Sequence, residues 1–133
     1  LNGGKAIGSR ELDDVFTQIT ERLDGCLVVG ADSFLNAKSE QLAAHAGRYG
    51  IASISPYKEF TKAGGLMSYG ASIAGASRQA GVYTGRILKG EKPADLPIQQ
   101  PTLFEFVVNV KSAKALGLSV PPTLLSRADD VIE

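Results

Sequence analysis

The sequence predicts a three-layer αβα domain in which helices cover both faces of a mainly parallel sheet. Helix-like and strand-like segments alternate along the chain, beginning with a helix at residues 9–23 and a strand at residues 26–29. The segment 26–29 is a continuous apolar run, as expected of a strand that is buried on both faces. Alternation of this kind implies right-handed crossovers between parallel strands.

The composition is that of one globular domain. The chain has 133 residues, 44% of them hydrophobic, with 14 basic and 14 acidic side chains. This balance and the absence of a dense basic cluster predict no nucleic-acid partner. No apolar run reaches the roughly 20 residues of a membrane span, and residues 1–9 lack the pattern of a signal peptide. The single cysteine, Cys26, excludes an intrachain disulfide.

The first half of the chain predicts two helices and three strands. Ser9 is suited to cap the helix 9–23, whose inner face includes Phe16 and Ile19. After the strand 26–29, a second helix is predicted over 34–48, on which the single histidine, His45, is expected to be satisfied or solvated. Strands are predicted at 51–55 and 66–69, separated by a turn at 57–60, and Gly70 is expected to end the last strand.

The longest predicted helix covers residues 72–89. Ser72 is its expected N-cap, and Lys89, Gly90 and Pro93 are stop signals. Ser77, Gly81 and Gly85 form a ridge of small residues at a spacing of four, which indicates close packing against another element. The apolar stripe on one face consists of Ile73, Ala76, Ala80, Tyr83 and Ile87.

The last third of the chain begins with a connector without regular structure. Residues 90–102 contain three of the six prolines. A strand at 103–108, a helix at 110–116 closed by Gly117, and a final helical turn after Pro121 and Pro122 follow.

Parallel sheets of this class bind ligands beyond the carboxyl ends of their strands. Aromatic side chains there would form apolar walls, and carboxylates would orient a cationic or hydroxylated group. The sequence contains no phosphate-loop, dinucleotide-binding or hydrolase motif, and we expect no catalytic residue, metal site or cofactor. The predicted ligand-binding residues are Asp32, Ser33, Phe34, Tyr57, Glu59, Ser68 and Tyr69.

Several stretches, most specifically ILKGEKPADLPIQQP and KSAKALGLSVPP, resemble the C-terminal part of ABC-transporter substrate-binding proteins. The similarity covers about residues 23–133 and points to the tryptophan/tyrosine-type branch, which has the type I periplasmic binding-protein fold of two lobes. It implies that residues 1–68 and 102–133 form the second lobe. The helix 72–89 and the connector 90–101 would then associate with a first lobe that this sequence lacks.

The resemblance implies a solute-binding component of an ABC importer, with a small organic ligand such as an aromatic amino acid. It also implies a membrane permease as partner and a periplasmic, or exported and lipid-anchored, location. Two alternatives stay open from the residues alone. One is an effector-binding domain of a lac-repressor-like regulator, and the other is a flavodoxin-like enzyme that uses Asp32 and Glu59.

The apolar stripe of the helix 72–89 requires a partner, because leaving it in water would cost several kcal/mol at about 25 cal/mol per Å². We therefore expect the helix either to fold back over the sheet or to pair with a second copy of the chain. The preferred prediction is a homodimer formed through residues 72–89.

Overall fold

The computed structural model describes residues 9–21 and 25–133, which are built around a five-stranded sheet. The strands lie side by side in their order along the chain. The first three are parallel, the fourth is antiparallel to the third, and the fifth is parallel to the fourth. The predicted α/β fold with a mainly parallel sheet is confirmed. The strands are β1 (Cys26–Val28), β2 (Ala52–Ser55), β3 (Met67–Ala71), β4 (Phe104–Asn109) and β5 (Asp130–Ile132).

Seven α-helices occur in the part of the chain that the structure describes, and in that part no helix is long and apolar enough to cross a membrane. The predictions of the first and the longest helix are confirmed, although residues 22 and 23 lie outside the described ranges. The helices are α1 (Ser9–Glu21), α2 (Ser33–Ala37), α3 (Ser39–Arg48), α4 (Lys58–Lys62), α5 (Ile73–Leu88), α6 (Val110–Ala115) and α7 (Pro122–Leu125).

The main core lies between one face of the sheet and the helices α1, α3 and α4. Phe16 and Phe60 are fully buried there, at 1% and 0% exposure. They pack with Leu42, Ala43, Ala46, Val29 and Ile51. In β2 and β3 every second residue is buried, which is the period of a strand with one covered face.

The strand β1 is not covered on both faces as predicted. It lies at the edge of the sheet, and Val28 is 69% exposed. Val28, Ile54 and Met67 are register partners and therefore share a face, opposite the helices of the main core. The apolar run in the sequence indicates that both faces of β1 are apolar. Among the described residues, helices cover only one of these two faces.

The predicted helix 34–48 is divided into α2 and α3. At the junction, the backbone N–H of Lys38 is shared between the carbonyls of Phe34 and Leu35. Lys38 itself has a ψ of 13°, away from helical values. The hydroxyl of Ser39 donates to the Asn36 carbonyl at 2.7 Å. This local bond competes with the regular helical ladder and accounts for the interruption.

The prediction of a turn at residues 57–60 is wrong, because this segment leads into α4. The helix is only five residues long, so its periodicity is too short to recognise in a sequence. Tertiary packing stabilises it through Phe60, which is completely buried. Gly64, with a φ of 108°, then reverses the chain toward β3.

Gly70 does not end the third strand, which continues to Ala71. A Cβ atom at position 70 would lie against the carbonyl oxygen of Pro56. Glycine is therefore required at position 70 because the backbone of β3 lies close to the backbone of Pro56, which follows β2. It is not required for chain reversal.

The helix α5 and the connector after it form a projecting element, which we call the arm (residues 72–101). Ser72 caps α5 by accepting the N–H of Gly75 at 3.2 Å, and Gly90 has the expected positive φ of 103°. The helix buries none of its residues, so the prediction that it folds back over the sheet is wrong. The connector contains one short 3-10 turn, Pro93–Asp95.

Candidate functional site

The carboxyl ends of β1, β2 and β3 meet at one edge of the sheet because these strands are parallel. The strand β4 is antiparallel to β3, so β4 begins at the edge where β3 ends. Its first residue, Phe104, is the register partner of Ala71 and lies at this edge. Residues from four strands therefore contribute to the surface at which α/β sheets bind ligands.

Three aromatic side chains lie together on this surface and are called the aromatic platform: Tyr69, Phe104 and Phe106. The rings of Tyr69 and Phe104 are stacked with centroids 5.8 Å apart, and Phe106 meets Tyr69 edge-on at 6.3 Å. Tyr69 is 58% exposed and Phe104 is 51% exposed. Exposed aromatic surface of this kind marks a binding site more often than it serves the fold.

A shallow depression lies at the same strand ends, on the side of β4 opposite the aromatic platform, because Glu105 alternates with Phe104 and Phe106. Its charged part is an ion pair of 3.1 Å between Lys58 Nζ and Glu105 Oε1. The depression encloses only about 10 Å³, roughly the space that one water molecule needs. The part of the chain that the structure describes therefore does not enclose a solute at this depression. The lining residues are Pro56, Tyr57, Lys58, Glu59, Ala71, Ile73 and Glu105.

The predicted site residues after β1 lie apart from the residues that line this depression. The carboxylate of Asp32 accepts the backbone N–H groups of Phe34 at 2.8 Å and Leu35 at 3.0 Å, and so caps α2. Ser33 is the first residue of α2 and is exposed. Phe34 is 46% exposed and adds apolar surface at this end of the sheet.

The structure brings Tyr57 and Glu59 together in the depression and places Tyr69 on the platform, but Ser68 does not reach the surface. Ser68 is 1% exposed, and its hydroxyl has no hydrogen-bond partner among residues 9–21 and 25–133. It faces the helical layer because side chains alternate along β3, and its neighbour Tyr69 faces the other side. Ser68 is therefore left out of the proposed site.

His45 joins α3 to α1 and is satisfied, as the sequence predicts. One ring nitrogen is 2.7 Å from the carbonyl of Gln41, and the other is 3.0 Å from a carboxylate oxygen of Asp13. The ring also packs against Phe16 and Tyr49. Within residues 9–21 and 25–133, no group of His, Cys, Asp and Glu side chains is arranged to hold a metal ion.

A larger groove of about 460 Å³ begins next to the strand ends, at Ser72 and Leu103, and continues along the arm. It runs between the first half of α5 and the end of the connector, where Leu103 accepts the N–H of Ser72. Apolar and small residues dominate its lining, including Ala76, Ala80 and Val82. Because α5 has no buried residue, this groove is a surface without a partner, and we do not assign the solute site to it.

The described residues form an α/β lobe with an open surface at the strand ends, and solved structures agree with this fold. A conserved domain protein from Vibrio cholerae O1 biovar El Tor has 21% identity and a TM-score of 0.83, with 95% of this chain aligned to 42% of that chain. The ABC domain in complex with L-Trp from Streptococcus pneumonia has 24% identity and a TM-score of 0.81, with 94% aligned to 43%. A ligand-free, open substrate-binding protein with adhesive properties from Clostridium difficile has 22% identity and a TM-score of 0.65, with 94% aligned to 41%.

These similarities establish the fold, and the chain spans less than half the length of the structures it matches. Curated proteins give no significant match. The family model for ABC transporter substrate binding proteins matches residues 5–132. The chain therefore belongs to the family of ABC transporter substrate binding proteins.

The sequence-based prediction missed Phe104, Lys58 and Glu105. Phe104 and Glu105 occur in a segment correctly predicted as a strand, but their position at the ligand edge follows from the antiparallel direction of β4. A charged residue pair separated by 47 positions carries no local signal. Lys58 lies between Tyr57 and Glu59, which were predicted as site residues. This position is the only signal in the sequence that Lys58 belongs to the same surface.

Proposed function

We propose that this chain is the half of a solute receptor that binds one side of a small organic molecule for an ABC importer. The observation that carries the proposal is the family match over residues 5–132. The support from the geometry is that the aromatic platform, Tyr57 and Glu59 all lie at the same strand ends. An aromatic amino acid is the solute class that fits the platform best, because aromatic rings stack on exposed aromatic faces.

Binding without chemical turnover is part of the same proposal. The family is defined by substrate binding, and the carboxylate of Asp32, the acid of the enzymatic alternative, is occupied as the cap of α2. We further propose the membrane permease of an ABC transporter as the partner. The corresponding location is periplasmic, or exported with a lipid anchor.

The shallow depression requires a second wall to enclose a solute. We propose that the arm packs on a first lobe that supplies this wall in a longer protein, as the domain division at 1–68 and 102–133 implies. In the 133-residue chain by itself, we propose that a second copy covers the arm and forms a homodimer through residues 72–89. Exposed apolar side chains on the helix support both arrangements, namely Ile73 at 45%, Val82 at 50% and Ile87 at 40%.

Calorimetric titration with L-tryptophan and L-tyrosine tests the proposed site. Replacing Tyr69 or Phe104 by alanine removes one ring of the stacked pair. We expect each variant to lose roughly 2- to 13-fold in affinity, because stacking contacts of this kind contribute roughly 0.5–1.5 kcal/mol beyond the area they bury. Circular dichroism of each variant checks that the fold is retained.

Leu118→Ala is a matched control, because Leu118 is a large apolar residue with 45% exposure after α6, at the edge of the sheet opposite the proposed site. This variant should bind as tightly as the unmodified protein. Equal affinity for Tyr69→Ala, Phe104→Ala and the unmodified protein would remove the site assignment.

A further inference from the structure

A contribution to stability does not explain the position of the ion pair between Lys58 and Glu105. The two side chains are 33% and 32% exposed, so their attraction is screened by water and contributes little to stability. The pair nevertheless lies in the depression at the strand ends, with Glu59 and Tyr57 beside it. A cation and an anion are thus held side by side at the proposed ligand surface.

Both groups keep unused hydrogen-bonding capacity. An ammonium group has three N–H donors and a carboxylate accepts at both oxygens. Among the described residues, the single bond from Lys58 Nζ to Glu105 Oε1 is the only hydrogen bond that either side chain makes. Two donors of Lys58 and the Oε2 atom of Glu105 are therefore available to a ligand without loss of the existing bond.

The head group of a free amino acid is the complement of this pair. It carries a carboxylate and an ammonium group on the same carbon, and therefore a positive and a negative charge in close proximity. Such a head group can align antiparallel to the Lys58–Glu105 pair so that each charge meets its opposite. Charge-assisted hydrogen bonds of this type are roughly twice as strong as neutral ones.

We propose that Lys58 and Glu105 anchor the zwitterionic head group of an amino-acid ligand, an inference that rests on the proposed solute-binding function. Lys58 Nζ donates to the ligand carboxylate, and the Glu105 carboxylate accepts from the ligand ammonium group. The ligand side chain extends toward the aromatic platform. Glu105 and Phe104 point to opposite faces of β4, so the ligand side chain reaches Phe104 over the strand ends, where Ala71 lines the depression and is paired with Phe104.

This assignment predicts which parts of the ligand are required. We expect the unmodified protein to bind L-tryptophan at least tenfold more tightly than tryptamine, which lacks the carboxylate, or indole-3-propionate, which lacks the ammonium group. Lys58→Gln should bind L-tryptophan at least tenfold more weakly and should lose the preference for L-tryptophan over tryptamine. Glu105→Gln should likewise lose the preference over indole-3-propionate.

Lys114 supplies a matched control, because it is an exposed lysine on α6, at the edge of the sheet opposite the proposed site. Lys114→Gln removes one positive charge and should leave all three affinities unchanged. Circular dichroism verifies that each variant is folded. This selective loss of ligand preference is a readout that a purely structural ion pair would not affect.

Two results would overturn the assignment, and they are distinguishable. If the unmodified protein binds L-tryptophan but Lys58→Gln and Glu105→Gln bind it equally well, the anchor is wrong and the proposed function survives. If the longer protein that contains both lobes also binds none of the three probes and no other amino acid, the proposed function fails together with the anchor.

Discussion

At the scale of single residues, a neighbouring backbone segment determines that residue 70 is glycine. A Cβ atom at this position would overlap the carbonyl group of Pro56, which cannot rotate away as a flexible side chain could. We predict that Gly70→Ala lowers the free energy of unfolding by about 1–3 kcal/mol, the usual cost of overpacking. Chemical denaturation measures this change.

Gly81→Ala is the matched control for that substitution. A Cβ atom at position 81 would meet nothing within 4 Å, and the residue lies in the interior of α5. Alanine should therefore stabilise this helix by up to about 1 kcal/mol. A loss of stability at position 81 equal to that at position 70 would contradict the role given to the Pro56 backbone.

At the scale of the element, the arm is held together by local interactions of its own. Arg86 forms three hydrogen bonds to the carboxylate of Glu91, which lies just beyond the end of α5. These bonds are the main reason that the pKa of Glu91 is lowered and the pKa of Arg86 is raised. The Arg86–Glu91 ion pair therefore links the C-terminal end of α5 to the start of the connector.

We predict that Arg86→Gln raises the pKa of Glu91 toward its ordinary value, as measured by NMR titration of the carboxyl carbon. A lowered carboxyl pKa contributes stability above the unfolded-state pKa, and this contribution is lost as the pH falls through the folded-state pKa. The contribution is small because both groups are exposed. An unchanged titration of Glu91 would show that the bonds do not persist in solution.

At the scale of the whole molecule, the chain exposes more surface than its length requires. Its accessible surface is 9313 Å², whereas a compact monomer of this size exposes about 6,700 Å². Allowing full exposure of the 11 residues outside the described ranges still leaves an excess of more than about 1,000 Å². One partner of a large stable interface buries about as much.

We predict that the isolated 133-residue chain forms a dimer, with α5 in the interface. Ile87→Lys places a charge on the apolar stripe of this helix, where Ile87 is 40% exposed, and should shift the molecule to a monomer in sedimentation velocity. Leu124→Lys, at a residue of α7 that is 38% exposed, serves as the control and should remain dimeric. A chain that is monomeric at all concentrations with α5 exposed would rule out pairing.

The sequence by itself determined the class of fold and the positions of the long elements. The cap at Ser72, the stop at Gly90 and the alternation of helix and strand are local signals, and the structure agrees with each. It also placed Tyr57, Glu59 and Tyr69 at strand ends, because parallel strands end at one edge. The match to a known family is likewise a property of the sequence alone.

The tertiary structure decided which faces and neighbours these residues have. The split between Ser68, which is buried, and Tyr69, which is exposed, depends on the face of β3 that the helices cover. The contacts of Lys58 with Glu105 and of Tyr69 with Phe104 join residues at least 35 positions apart. Such contacts depend on the direction and register of β4, which are determined by the packing of the whole sheet. No periodic pattern in the sequence predicts them.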